Sequence, residues 1–333
     1  MSTILVTGGA GYVGAILVPK LLARGHRVKV LDLYLFGDDV LPKRAPGLEE
    51  IRGDIRDAAL LRASLAGVDA VIHLACISND PSFELDPALS KSINYDAFEP
   101  LVAISKACGV KRFIYASTSS VYGVSDKPDV TEDHPLVPLT DYNKYKGLCE
   151  PILAKYQSRD FTTVTIRPAT ICGYSPRLRL DLTVNILTNL AVNNRRITIF
   201  GGTQKRPNIH IEDITDLYVD LLGFPAELIA GKIFNCGYEN HTVTELGGMV
   251  HDSVLEEMPA LSPIEITTSP SNDLRSYHIS SEKIARELGY KPRRTVQDAV
   301  VDLCRAFNAG KIPNSLTDPR YVNLRTVQAA KLR

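Results

Sequence analysis

The sequence has little of what would tie a chain to a polyanion, a bilayer or an oxidising compartment. Neither sign of charge is in excess, since Lys plus Arg and Asp plus Glu each number 38. No surplus therefore draws it to nucleic acid or to a charged membrane surface. No apolar run approaches the roughly 18 residues that a membrane-spanning helix needs. From Met1-Ser2 the chain passes straight into a short strand and a glycine turn. That is too short an apolar run for a signal peptide, and no basic segment precedes it, so a cytoplasmic protein is expected. Six cysteines (Cys76, Cys108, Cys149, Cys172, Cys236 and Cys304) are scattered without a C-x-x-C pair. They read as reduced, mostly buried thiols rather than metal ligands or a disulfide framework. No repeat or low-complexity segment is visible, and 333 residues suffice for one large α/β domain or two intimate ones.

What is present centres on Asp141-Tyr142-Asn143-Lys144-Tyr145-Lys146. Tyr142 and Lys146 stand four apart, which on a helix puts both side chains on one face. A phenol with its ordinary pKa of about 10 is a poor base at neutral pH. A neighbouring ammonium favours the phenolate, and a bound nicotinamide cation would favour it further. The pair is thus a candidate general base for an alcohol that loses hydride. An isolated Y-x-x-x-K is more often a plain surface helix, so the weight comes from what precedes it. Ile4-Leu5-Val6 leads into Thr7-Gly8-Gly9-Ala10-Gly11-Tyr12-Val13-Gly14, with glycines spaced three apart. Gly8 permits a sharp turn, Gly11 lets backbone approach a pyrophosphate, and Gly14 lets the following helix pack closely on the strand. The anion would then sit at a helix N-terminus. A helix to Arg24 closed by Gly25 and a strand 27–31 ending at Asp32 follow. That carboxylate can accept the ribose hydroxyls and would repel a 2′-phosphate, which favours NAD over NADP.

Further strands are expected at about 68–74, 111–115 and 161–167, with Gly53-Asp54-Ile55 closing another. The spacing of Ile93, Ala97, Leu101 and Ile104 predicts one long helix over 87–108. A hydroxyl-rich strand end, Ser117-Thr118-Ser119-Ser120-Val121-Tyr122-Gly123, lies upstream of Tyr142. Beyond Gly173, Arg177 and Arg179 stand in a loop suited to a diphosphate, which arginine grips bidentately. The tail after Ile312 shows no pattern.

Glycine turn, hydroxyl-rich strand end and Y-x-x-x-K, in this order, resemble the extended short-chain dehydrogenase/reductase family, in its nucleotide-sugar epimerase and dehydratase branch. The resemblance covers nearly the whole chain and thins in the last twenty or so residues. It implies a Rossmann-type doubly wound parallel sheet, α/β, with a smaller mixed α/β C-terminal substrate domain. Residues 1–170, with about 209–238 returning to them, would bind NAD. Residues 171–208 and 239–320 would hold the sugar nucleotide, and 321–333 would be a tail. Catalysis would fall to Thr118, Tyr142 and Lys146. The cofactor would be held by Gly8, Gly11, Tyr12, Val13, Gly14, Asp32, Asp54, Ile55, Leu74, Ala75, Cys76, Asn94, Ser117, Pro168 and Thr170, together with Tyr142 and Lys146. Asn94 would brace the active site. Ser119, Arg177, Arg179, Arg206 and Arg275 would meet a nucleotide-diphosphate sugar. His210 and Asp213 would tie their segment to the nucleotide domain. Helices over 87–108 and 141–157 would build a four-helix homodimer interface.

Departures from the family pattern narrow the reaction. Its dehydratases carry an Asp-Glu pair after the catalytic hydroxyl, where this chain has Ser119 and Ser120. Without those carboxylates, elimination of water lacks its acid and base. Relatives that epimerise at C3 and C5 need a cysteine in this loop, and none is there. Reversible hydride transfer at a carbinol carbon survives, as epimerisation through a keto sugar or as net dehydrogenation or keto reduction. A non-catalytic NAD-sensing protein would commonly have lost the tyrosine or the lysine. Pro270 stands where the family has an arginine before Asp273, leaving Arg275 as the candidate for the same phosphate.

Overall fold

The computed structural model describes residues 1–125, 127, 129–271 and 276–330. Arg275 lies outside these residues. Twelve strands among them are numbered here in chain order: β1 Thr3–Thr7, β2 Arg27–Asp32, β3 Leu48–Arg52, β4 Ala70–His73, β5 Arg112–Ala116, β6 Thr162–Pro168, β7 Thr170–Cys172, β8 Arg196–Phe200, β9 Lys205–His210, β10 Lys232–Cys236, β11 Glu239–Thr242 and β12 Glu265–Ser269. Seven form one parallel sheet in the order β10-β6-β5-β4-β1-β2-β3. β1 shows why its residues are a continuous apolar run. Ile4 and Val6 pack on Leu17, Val18 and Leu21 of the helix Gly14–Ala23, and Leu5 packs on the opposite side with Leu61 and Leu101. A strand covered on both faces has no polar side to alternate with. The chain leaves β1 toward β2 on one flank and later resumes at β4 on the other. That reversal opens a crevice at the carboxyl ends of the strands.

A smaller layer lies beyond β6. β7, β9 and β11 make a three-stranded sheet, and β8 pairs in parallel with β12. Ile197 and Ile199 of β8 share a core with Leu187, Leu246, Val250 and Val300 from the helices Thr183–Asn194, Val243–Glu257 and Val296–Asn308.

Two expectations change. The single helix over 87–108 is divided into Pro87–Lys91, a π-helical turn Ser92–Asp96 and Phe98–Ala107. The tail is not patternless: a 3₁₀ turn Pro319–Tyr321 and a helix Asn323–Ala330 dock back on the crevice. Leu180 N donates to Tyr321 O at 2.8 Å, a pairing between segments far apart in sequence. Cys149, Cys172, Cys236 and Cys304 are buried, Cys76 is partly buried and Cys108 exposed, all as free thiols. No described helix is long and apolar enough to cross a membrane.

Candidate active site

A cavity of about 550 Å³ occupies the crevice, and it gathers most of the expected residues from across the chain. Gly8, Gly11, Tyr12, Val13 and Gly14 line one end with Asp32, Asp54 and Ile55. Leu74, Ala75 and Cys76 form the floor. Ser117, Thr118, Ser119, Tyr142, Lys146, Pro168, Thr170, Arg177, Arg179 and Arg206 complete the wall.

The glycine turn is shaped by close backbone approach. Gly8 has φ +73°, and a Cβ there would lie 2.6 Å from Ala75 N. A Cβ on Gly14 would lie 2.3 Å from Gly9 O. The helix therefore closes on the turn itself, rather than on the strand. Asp32 Oδ2 accepts from Ala10 N at 3.0 Å and Oδ1 from Tyr34 N at 2.8 Å. Burial nonetheless pushes its carboxyl above the usual range. Asp54 is taken up by Arg56, whose Nη2 donates to Oδ2 at 2.7 Å.

Tyr142 belongs to the helix Asp141–Tyr156, capped by Thr140, whose Oγ1 accepts from Asn143 N. Its ring lies edge-on to the buried Phe83, 6.5 Å between centres. What surface Tyr142 retains lines the cavity, and burial raises its pKa well above the ordinary phenol value. Cys76 and Asp80 add to the rise, and Arg179 opposes it. Lys146 is not among the largest influences on this phenol. The Lys146 ammonium donates to Ala116 O and lies 4.6 Å from the centre of the Tyr115 ring. Thr118 Oγ1 shares a hydrogen bond with Ser120 Oγ at 2.8 Å and makes none to Tyr142. The Ser120 hydroxyl donates in turn to Asn143 Oδ1.

Several other expected residues stand apart from their expected roles. Asn94 is buried beside the cavity without lining it. Its Oδ1 accepts from Ile77 N at 2.8 Å and its Nδ2 donates to Ile77 O at 2.9 Å, pinning the segment below the wall. It is a brace and makes no cofactor surface. The Ser117 hydroxyl is spent on Glu150 Oε1 at 2.6 Å. Glu150 also receives Arg167 Nε at 2.9 Å and Nη2 at 2.5 Å, and Arg167 Nη1 donates to Tyr122 at 2.6 Å. No spacing signal announces this buried network, because its members lie on a helix, a strand and a turn. Arg177 and Arg179, expected together on one diphosphate, part company. Arg179 is paired with Asp181, Nε to Oδ1 at 2.9 Å, and acts on Tyr142. Arg177 stacks on Phe36, 3.5 Å from ring centre to guanidinium carbon, at the end where Asp32 stands. Arg206 is buried on β9. Asp213 accepts from Arg293 N and Arg294 N, so its tie runs to the C-terminal residues and not, as expected, to residues 1–170. Asn79, Asp80, Asp181 and the tail residues Val322, Asn323 and Leu324 also line the cavity. Nothing local in the sequence marks the tail.

These residues fit a dinucleotide. The turn leaves no room for a Cβ at Gly8 or Gly14, the ribose-side carboxylate is in place, and buried arginine N–H groups face the same space. The model of the NAD dependent epimerase/dehydratase family matches residues 4–237. UDP-glucose 4-epimerase of Lactobacillus helveticus is 28% identical over 322 residues, covering 90% of this chain and 94% of that one. Among solved structures, the dTDP-glucose 4,6-dehydratase of Streptomyces venezuelae with NAD bound superposes with a TM-score of 0.82 at 26% identity, covering 96% of this chain and 99% of that one. UDP-glucose 4-epimerase of Thermus thermophilus in complex with NAD gives 0.80 at 25% identity, covering 92% and 99%.

Proposed function

We propose, for a chain that belongs to the NAD-dependent epimerase/dehydratase family, that it is a nucleotide-sugar epimerase acting at C4 through a transient keto sugar. It is an NAD-dependent enzyme of the extended short-chain dehydrogenase/reductase family. When bound, NAD supplies a hydride acceptor that can give the same hydride back. The observation that carries the reading is the grouping of Tyr142, Lys146 and Thr118 on one cavity wall, with serines where an acid pair would stand. Tyr142 takes the proton of the sugar hydroxyl, directly or through the Thr118 hydroxyl. Burial favours the neutral phenol, so the cations of the site must draw it toward phenolate. Arg179 already opposes the rise, and Lys146 stands one helical turn away. Ser119 and Ser120 cannot supply a carboxylic acid and a carboxylate, and Ser120 is committed to Thr118 and Asn143. The keto sugar then re-presents its other face and is protonated by Tyr142 as it is reduced. Arg179, Arg206 and Ser119 line the space for the sugar and its diphosphate.

Residues 1–170 and about 209–238 act as the cofactor-binding part, and 171–208 with 239–320 as the sugar-nucleotide part. The helix Asp141–Tyr156 exposes Leu148 and Pro151, and a homodimer through this helix and Phe98–Ala107 would cover them. The test is to incubate the purified protein with UDP-glucose, UDP-galactose and other sugar nucleotides without added cofactor. An epimer accumulating to equilibrium supports the reading. A single partial turnover, completed only when NAD or NADH is supplied, would establish a dehydrogenase or keto reductase on the same residues.

A further inference from the structure

Arg177 is a buried cation with unused hydrogen-bonding capacity. It is 4% exposed, lines the cavity, and leaves Nε and Nη1 without a partner. Its hydrogen bond runs from Nη2 to Asn323 Oδ1, a neutral amide. Burial, and then the charge of Arg179, pull its pKa down to about 9. A buried guanidinium normally meets a carboxylate or a phosphate, to which its fork is matched. The nearby carboxylates are otherwise engaged: Asp32 with Ala10 N and Tyr34 N, and Asp181 with Arg179.

The loop bearing Arg177 is bolted to the glycine turn. Tyr12 donates from its hydroxyl to Gly173 O at 2.7 Å, and Ser175 Oγ donates to Tyr12 O at 2.8 Å. The tail fixes the other side. Asn323 Nδ2 donates to Ser78 Oγ at 2.7 Å, and its backbone N donates to Asp181 Oδ2 at 3.1 Å. The idle N–H groups therefore share the cavity end where a helix N-terminus already favours an anion.

We infer that Arg177, held by Asn323 of the C-terminal segment, grips the pyrophosphate of the bound dinucleotide rather than the diphosphate of the sugar nucleotide, and that the tail thereby fastens the cofactor in its cavity. This rests on NAD binding and not on which sugar is turned over, so it is tested without turnover. NAD⁺ and UDP are titrated separately into the 333-residue chain after its bound dinucleotide is stripped. Loss of a charge-assisted contact in Arg177→Gln is expected to weaken NAD⁺ binding about tenfold or more, with UDP affinity unchanged. Asn323→Asp, which offers Arg177 a carboxylate within the chain, is expected to weaken NAD⁺ in the same direction and decides the matter should Arg177→Gln fail to fold. Parental NAD⁺ affinity in the folded variants, or weakened UDP with intact NAD⁺, overturns the inference. Absence of epimerase activity with NAD⁺ weakened as described would contradict the sugar chemistry alone.

Discussion

Arg167 and Arg177 are both buried, ten residues apart in sequence, and they are treated in opposite ways. Arg167 is met by both oxygens of Glu150 and by the Tyr122 hydroxyl, and these partners raise its pKa against the cost of burial. Arg177 has a neutral amide and an aromatic face, and its pKa falls. A charge whose partners lie within the chain belongs to the fold, whereas one left short of partners in a cavity wall is set aside for a ligand. The same division separates Asn94, fully used on Ile77, from Tyr142, which lines the cavity without bonding Thr118.

Substitutions on each side of that division should fail in different ways. Tyr142→Phe, on the ligand side, is expected to lower kcat by about 10³-fold or more while melting temperature and NAD content stay at the parental level. Steady-state kinetics alongside a thermal melt check this, and a near-parental rate would break the assignment. Glu150→Ala, on the structural side, strands the Arg167 charge and should cost about 3–5 kcal/mol of stability in urea unfolding. Gly14→Ala drives a Cβ into Gly9 O, for which about 1–3 kcal/mol is expected together with weakened NAD⁺ binding. A graded effect, absent at neutral pH, concerns His73, buried against Thr7 with Oγ1 to Nδ1 at 2.7 Å. Burial first, and Lys146 second, push its pKa from 6.5 to about 3. The unfolded chain then binds the extra proton between those values, so stability is complete above pH 6.5 and falls with acidification. The loss is about 1.4 kcal/mol per pH unit within that window, and a His73→Gln protein should show a flatter acid limb in its melting curve.

The parts of the site that one stretch of chain builds were legible in the sequence. The glycine turn, Asp32 and the Tyr142–Lys146 pair each depend on neighbours a few residues away, and all line the cavity. The parts assembled across the fold were not. Two arginines in one loop suggested a shared task, yet Asp181 claims one while Phe36 and Asn323 hold the other. The tail carries no periodic signal because its partners are Leu180, Ser78 and Asp181, more than a hundred residues away. Lys146 fell on the expected helix face, but the carbonyl of Ala116 and the ring of Tyr115 come from a strand that spacing cannot bring into view.

The central claim is that hydride leaves and returns to one sugar carbon while Tyr142 handles the hydroxyl proton. UDP-glucose carrying deuterium at C4 tests it most directly, with the product analysed by NMR after cofactor-free incubation. Full retention of deuterium at C4 in the epimer is expected. Washout to solvent, or epimerisation at a different carbon, would contradict the claim.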